Sequence, residues 1–183
     1  INRRNVELVY AHNRRRDYPL VDDKILCKER LVAHDVPVAT TLATCEGLFD
    51  IDRVASALVT RGDFVVKPAS GSGGNGILVI GERVEGGWRS AKGREVSDAE
   101  LRKHMADIVF GAFSKQMDDR VLIEERIVPH DLFREFFSGG VSDLRLIFLR
   151  GECLMSMVRI PTIASGGRAN LHQGGIALAR HIE

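Results

Sequence analysis

FVVKPASGSGGNGILVI, residues 64–80, decides the fold of this chain. Two apolar runs rich in β-branched residues, 64–67 and 77–80, flank a loop of glycine and serine, which predicts a strand, a loop and a second strand. Lys67 ends the first strand. Because glycine has no Cβ, the loop N–H groups can approach phosphate oxygens closely, and a neighbouring lysine adds positive charge. The stretch therefore predicts a nucleotide-phosphate site.

Three glycine-loop chemistries have to be distinguished for this loop. Residues 71–76 match G-x-G-x-x-G, but a dinucleotide loop opens a helix, whereas residues 77–80 predict a strand. A Walker A loop needs Gly-Lys followed by Ser or Thr, which the stretch lacks. Protein kinases place their lysine downstream of the loop and carry His-Arg-Asp and Asp-Phe-Gly motifs, which are absent from the sequence. A lysine upstream of a strand–loop–strand remains.

The composition is that of an ordinary globular protein. The chain has 183 residues, 44% of them hydrophobic and 28% charged, with a formal net charge of +1, which fits one domain or two small lobes. A nucleic-acid binder needs a broad excess of Lys and Arg, so that the near-neutral balance argues against nucleic acid as a partner. We interpret Arg14–Arg16 as a solvated or substrate-facing patch.

Cysteine usage and the absence of long apolar runs indicate the compartment. Cys27, Cys45 and Cys153 are far apart and form no Cys-x-x-Cys pair, which favours neither a disulfide framework nor a zinc site. No apolar stretch approaches the roughly 20 residues that span a bilayer, and no signal-peptide pattern opens the chain. We therefore expect reduced thiols, no membrane span and a cytoplasmic location. Because the sequence begins without Met and stops abruptly, we also expect a fragment of a longer protein.

Local patterns predict helices and further strands around the loop. Asp22 or Asp23 can cap a helix that ends before Pro37, and Ser97 to Glu100 fits a capping box that opens another helix. The apolar spacing after Asp50 predicts a helix as well. We expect strands at 38–42, 120–128, 144–149 and 153–160, and a hairpin turn at 85–88 that makes the loop region an antiparallel sheet edge.

Five segments in this order resemble the ATP-grasp superfamily of carboxylate–amine ligases. They are Asp23-Lys24, the FVVKP strand, the hinge-like IEERI of 123–127, Asp143-Leu144-Arg145 with Met157-Val158-Arg159, and the Asn-x-x-Gln-Gly-Gly turn of 170–175. The phrases YPLVDDK at 18–24 and ANLHQG at 169–174 are most similar to the α-L-glutamate ligase-like, sugar-transfer-associated ATP-grasp group. The resemblance spans nearly the entire chain.

The resemblance implies an α/β (α+β) protein with the ATP-grasp fold, in which ATP lies between an α/β central lobe and an antiparallel-sheet lobe. We assign residues 1–62 to an N-terminal segment with helices of the central lobe, 63–128 to the small lobe with the glycine loop and hinge strand, and 129–183 to the start of an incomplete C-terminal lobe. Such ligases normally carry their magnesium ligands beyond the Gln-Gly turn. We therefore expect a C-terminally truncated fold and leave the metal ligands unassigned.

The implied reaction is ATP-dependent, ADP-forming ligation of a carboxylate to an amine through an acyl phosphate, with ATP and Mg²⁺ as cofactors. The substrates would be small-molecule or peptide carboxylates and amines, and their identity, the oligomeric state and the activity of these 183 residues alone stay open. A non-catalytic ATP-binding module is the alternative, and a purely structural interaction domain is a third class that predicts no ATP binding.

The resemblance also implies roles for individual residues. The nucleotide phosphates would be held by Lys24, Lys67 and the loop residues Ser70, Gly71, Ser72, Gly73, Gly74, Asn75 and Gly76. The adenosine would contact Glu124, Glu125, the Ile127 backbone, Asp143 and Met157. The catalytic residues would be Arg145 at the γ-phosphate, Arg159 at the acyl phosphate and Asn170 at phosphate or magnesium.

Each role has a structural alternative that the sequence leaves open. Lys24 fits an ordinary first helical turn, and Glu124 with Glu125 fits a solvated strand end. Asp143 and Arg145 share a strand face and could form a surface ion pair, worth roughly 0 to 1 kcal/mol. Methionines such as Met157 commonly fill cores.

Overall fold

The structure, a computed structural model, describes residues 2–114, 118–135 and 139–180. The chain forms two compact units. Arg16–Arg126 is called the six-strand unit here, and Ile1–Arg15 together with Ile127–Glu183 is called the three-strand unit. The predicted division at residues 62 and 128 stays a prediction.

The six-strand unit contains one antiparallel sheet. Its strands are β1 (Thr41–Cys45), β2 (Phe64–Pro68), β3 (Leu78–Val84), β4 (Gly87–Ser90), β5 (Glu95–Ser97) and β6 (Val121–Glu124), in the order β1-β6-β2-β3-β4-β5. β2 pairs with β6 on one side and with β3 on the other. The glycine loop therefore connects two strands in the interior of the sheet.

In the described part of this unit, four helices accompany the sheet, α1 (Pro19–Asp22), α2 (Lys24–Val32), α3 (Ile51–Leu58) and α4 (Asp98–Val109), with short 3-10 turns at Arg15–Asp17 and Leu48–Asp50. The predicted caps are present. Asp23 caps α2, its carboxylate accepting from the N–H groups of Ile25 and Leu26. Ser97 and Glu100 form the capping box of α4. Both caps satisfy N–H groups that a helix start leaves without partners.

The main core lies on one face of this sheet, against α3 and α4. Phe64 and Val66 of β2 point into it, and Trp88 packs edge-on against Phe64 while its Nε1–H donates to the carbonyl of Arg61 at 3.1 Å. Because side chains alternate along a strand, Lys67 lies on the opposite face. On that face Ile25 of α2 packs with Ala69 and Leu122 in a smaller cluster.

The three-strand unit contains β7 (Asp143–Leu149), β8 (Glu152–Ile160) and β9 (Ile176–Arg180), which pair antiparallel in that order. Its other elements are a π-helix at Asn5–Tyr10, α5 (Asp131–Arg134) and a 3-10 turn at Leu171–Gln173. A tight turn at Arg150 and Gly151, both with positive φ, joins β7 to β8. Asp143 lies opposite Arg159, and Arg145 lies opposite Met157.

Three local predictions differ from the structure. The first strand is Thr41–Cys45 rather than 38–42, because its bounds follow its pairing with β6. The strand predicted at 120–128 ends at Glu124, and Val128 precedes a proline, which cannot donate to a ladder. β2 and β3 lie inside the sheet and not at its edge, because β6, which is distant in sequence, pairs with β2.

None of the helices in the described ranges is both long and apolar enough to cross a membrane. Cys27, Cys45 and Cys153 are free thiols in the structure. Burial raises the pKa of the Cys45 thiol to about 11, so that it behaves as a small apolar core residue.

Candidate functional site

The root of the glycine loop is fixed by a buried carboxylate, Asp119. The Ser70 N–H donates to its two carboxylate oxygens at 3.0 and 3.2 Å, and the Arg120 N–H donates to one of them at 2.7 Å. The Ser114 hydroxyl also donates to this carboxylate. Asp119 is only 6% exposed, so that these donors satisfy a charge that water barely reaches.

The far end of the loop is fixed at Gly76. Its φ is +74°, and a Cβ there would lie 2.6 Å from the Phe113 ring, so that only glycine fits. The Gly76 carbonyl accepts from Nε2 of His104 at 2.9 Å. Because the loop is anchored at Ser70 and at Gly76, residues 71–75 form a short connection at the end of β2.

Lys24, at the start of α2, ties the helix to the loop root. Its ammonium donates to the carbonyls of Pro68 and Ala69 at 3.1 Å each and to that of Gly71 at 2.5 Å. An ammonium has three N–H donors, so these bonds use all of them. Burial lowers the pKa of Lys24, and the nearby charge of Lys67 lowers it further. Lys24 therefore sets the position of the loop while adding positive charge beneath it.

A cavity of about 270 Å³ opens between the loop and the start of α2. Its wall includes Lys24, Val21, Asp22, Pro68 and the loop residues Ser70 to Asn75. The volume is slightly below the roughly 300 to 1,000 Å³ of pockets that enclose a whole ligand, which suits part of a nucleotide. Gly73 and Gly74 have φ of +68° and +76°, a backbone shape that lets successive N–H groups converge on an anion.

Lys67 lies beside this cavity and not in its wall. Its ammonium contacts Oε1 of Glu124, and Lys28 Nζ lies 2.8 Å from Oε2 of the same carboxylate. Glu124 is only 7% exposed. The structure thus brings the predicted residues Lys24, Lys67 and Glu124 together with the loop in one unit, and it adds Lys28.

Glu125 and Ile127 follow directly after β6. The Glu125 N–H donates to the Thr40 carbonyl at 2.9 Å, which extends the β1–β6 pairing irregularly by one residue. The Glu125 side chain is exposed. Ile127 is 56% exposed and begins the chain segment that belongs to the three-strand unit. Their predicted adenine contacts stay predictions.

The remaining predicted residues belong to the three-strand unit. Asp143 and Arg159 form a two-point ion pair, with Nε–Oδ1 and Nη2–Oδ2 distances of 2.6 Å each. The bond to Asp143 raises the pKa of Arg159 above its usual value. Arg145, on the same strand face as Asp143, is exposed and has no ion-pair partner within the described ranges. Asp143 thus forms an ion pair, the structural alternative considered for it, but its partner is Arg159 rather than Arg145.

Asn170 precedes the turn at Leu171–Gln173. Its carbonyl accepts from the N–H groups of Gln173 and Gly175 at 3.0 and 3.1 Å. A Cβ at Gly175 would lie 2.7 Å from the Ala169 carbonyl oxygen, which explains a glycine at this close approach. The main chain of Asn170 thus holds the predicted Gln-Gly turn, and its side-chain role stays a prediction.

Three residues of the site escaped the sequence prediction: Lys28, Asp119 and His104. Lys28 had a local signal, because it lies four positions after Lys24 on the same helix face. Asp119 and His104 had none, since their partners Ser70 and Gly76 are 49 and 28 positions away. In the described part of the chain, no three His, Cys, Asp or Glu residues are placed to hold a metal ion. Magnesium therefore stays a prediction without assigned ligands.

His104 gives the loop anchor a pH dependence. Burial lowers the pKa of His104 below its usual 6.5, although the bond to Gly76 opposes this shift. The folded state then binds fewer protons than the unfolded state, so that its stabilisation is complete above pH 6.5 and is lost as the pH falls through the folded-state pKa. We expect the free energy of unfolding, measured by urea titration, to fall on acidification from pH 7.5 to 5.5.

The variant His104→Gln isolates this effect. It should remove the part of the acid sensitivity that His104 causes. An identical loss of stability with pH in wild type and His104→Gln would contradict the assignment.

Comparison with known proteins gives a family and a similar fold. A family model described as sugar-transfer associated ATP-grasp matches residues 3–181. No curated protein matches the chain. The crystal structure of D-cycloserine synthetase is similar, with a TM-score of 0.50 and 15% sequence identity, over 91% of this chain and 48% of that one. At this identity the likeness concerns the fold alone, and the chain spans about half the length of that solved structure.

Proposed function

Because the chain belongs to the sugar-transfer associated ATP-grasp family, we propose that it binds ATP and serves an ATP-dependent, ADP-forming ligation of a carboxylate to an amine. The family match and the fold likeness confirm the resemblance and the mixed helix and antiparallel-sheet class predicted from the sequence. The glutamate-ligase-like substrate class, the cytoplasmic location and Mg²⁺ belong to the proposal.

The single observation that carries the proposal is the cavity beneath the glycine loop. Its wall combines glycine and serine residues of the loop with the part-buried ammonium group of Lys24, while Lys67 lies alongside. Triphosphates repel a carboxylate, and fixed N–H donors and cations offset this repulsion at the moment of reaction. The residues present therefore fit the phosphates of ATP better than an uncharged ligand.

In the proposed reaction a substrate carboxylate oxygen attacks the γ-phosphorus, and the bond from that phosphorus to the ADP oxygen breaks. The amine nitrogen then attacks the acyl carbon, the bond to phosphate breaks, and the amine loses a proton. In the six-strand unit, the loop and Lys67 would hold the phosphates against this displacement, and Lys24 would attract them through its positive charge. Bound magnesium would neutralise further phosphate charge, as in other phosphoryl transfers.

The three-strand unit would supply the arginines. Arg145 is exposed and without an ion-pair partner within the described ranges, which suits a contact with the γ-phosphate. Arg159 would steady the acyl phosphate, and Asp143 holds its guanidinium in a fixed orientation. Met157, opposite Arg145, is proposed to pack against the base, and Asn170 to contact phosphate or magnesium. Glu125 and the Ile127 main chain are proposed for the adenine.

A non-catalytic ATP-binding module is the second candidate. The observation that favours it is that no cluster of three metal-binding side chains is found within the described ranges. Such a module would bind ATP through the same loop and lysines but would not turn it over.

Calorimetric titration with ATP, ADP and adenosine tests the proposal. We expect ATP and ADP to bind at least about tenfold more tightly than adenosine, since one charge-assisted hydrogen bond contributes roughly 1.5 to 3 kcal/mol. Release of ADP with a panel of carboxylates and amines, glutamate among them, separates the two candidates. ATP binding without ADP release favours the module, and no binding of either nucleotide would overturn both.

A further inference from the structure

A buried carboxylate lies between two lysines beside the proposed phosphate site. Glu124 sits at the end of β6, and its two oxygens each accept from one ammonium, Oε1 from Lys67 and Oε2 from Lys28. The side chains of Lys28 and Lys67 are 13% and 19% exposed. Little water is therefore available to solvate any of the three charged groups, so that each of them is stabilised mainly by the opposite charge beside it.

We propose that Glu124 is an internal anion that holds Lys67 while the phosphate site is empty and yields it to the incoming phosphates, and that Lys28 keeps Glu124 in place during this exchange. The inference rests on the proposed function, because it takes the phosphates of a nucleotide as the incoming anion. It gives Glu124 the role of a positioning residue in place of the adenine contact predicted from the sequence.

The hydrogen bonds that Lys24 and Lys67 already make decide which of them can move to an incoming phosphate. Lys24 donates all three of its N–H groups to main-chain carbonyls, so moving it would release the loop root. Within the described ranges, the Lys67 ammonium has Glu124 as its one hydrogen-bond partner, and it lies close enough to Lys24 for their charges to repel. A phosphate beside the loop relieves that repulsion. Lys67 is therefore the cation with most to gain from an incoming anion.

Lys28 lowers the free-energy cost of moving Lys67 from Glu124 to a phosphate. If Lys67 turned to phosphate with no other cation near Glu124, a carboxylate that is 7% exposed would be left without a partner, which is strongly destabilising. Lys28, 2.8 Å from Oε2, remains with the carboxylate. Its position on α2, one turn after Lys24, also keeps it on the face that meets β6 and β2.

The proposal fixes the sign of three effects. Glu124→Gln removes the competitor for Lys67, so that phosphates should bind more tightly, by about tenfold, or about 1.4 kcal/mol. Lys28→Met should weaken binding by about tenfold, because Glu124 then depends on Lys67 alone. In the Glu124→Gln background, Lys28→Met should have little effect, since no carboxylate is left to stabilise.

The test is calorimetric titration of the wild-type chain and these variants with ADP and with inorganic tripolyphosphate, which probes the phosphate contacts alone. Glu82→Gln and Lys92→Met are the matched controls, because each makes the same change of charge at an exposed residue of the same unit. Neither control should alter affinity beyond the general effect of net charge. The double variant Lys28→Met with Glu124→Gln removes one charge of each sign and provides a folded reference if a single variant unfolds.

Two results would overturn the inference while leaving the proposed function intact. One is weaker binding of ADP by Glu124→Gln, which would make Glu124 a direct ligand of the nucleotide. The other is an equal loss from Lys28→Met with and without Glu124, which would make Lys28 an independent contact. If the wild-type chain binds neither ADP nor tripolyphosphate, the proposed function itself fails, and this inference fails with it.

Discussion

Lys67→Met is expected to weaken ATP binding by roughly 30-fold, equivalent to about 2 kcal/mol, because one charge-assisted contact to phosphate is lost. Adenosine has no phosphate, so its affinity should stay unchanged. Calorimetric titration with both ligands measures the difference. The loss should also appear with tripolyphosphate, since the contact proposed for Lys67 involves no part of the nucleoside.

A fold effect has to be separated from this loss, because Lys67 also neutralises Glu124. Urea unfolding of the same variant measures that effect, and Lys92→Met is the matched control at an exposed lysine. Unchanged ATP affinity in a folded Lys67→Met variant would remove Lys67 from the phosphate site.

Asp119→Asn is expected to lower the free energy of unfolding by about 2 to 4 kcal/mol. The carboxylate is buried and accepts from the Ser70 and Arg120 N–H groups and from the Ser114 hydroxyl. An amide of the same shape keeps one acceptor but loses the charge, and it turns an NH₂ group toward groups that are themselves donors.

The neighbouring Asp118 provides a close control for this change. It is exposed, so that Asp118→Asn should change the free energy of unfolding by less than about 0.5 kcal/mol. Because Asp119 fixes the loop root at Ser70, its replacement should also speed hydrogen exchange of the Ser70 amide. Equal urea midpoints for Asp118→Asn and Asp119→Asn would contradict this role.

The features predicted best from the sequence were those with local causes. The capping box of α4 lies within four residues, Ser97 to Glu100, and the apolar spacing of α3 lies within eight. The strand–loop–strand around residues 64–80 was likewise readable, because β-branched residues and glycines each restrict the backbone locally. These elements formed close to the expected positions.

Features that depend on distant partners were predicted poorly. β1 begins at Thr41 and β6 ends at Glu124 because those two residues pair with each other, 83 positions apart. The same holds inside the site. Glu124 was predicted as a site residue, but its partners Lys28 and Lys67 are 96 and 57 positions away. No local pattern indicates that a carboxylate will be buried between two lysines.

The position of β2 inside the sheet separates what is constant in this site from what can change. Lys67 lies on a strand that is hydrogen-bonded to neighbouring strands on both sides. The residues from Ser72 to Asn75 instead connect two anchored positions, Ser70 and Gly76. Evolution or protein engineering can therefore change the length and composition of the segment between those two positions without displacing the ammonium group of Lys67. Relatives of this chain would then differ in ligand preference through changes in this loop segment, while β2 and its lysine stay in the same position.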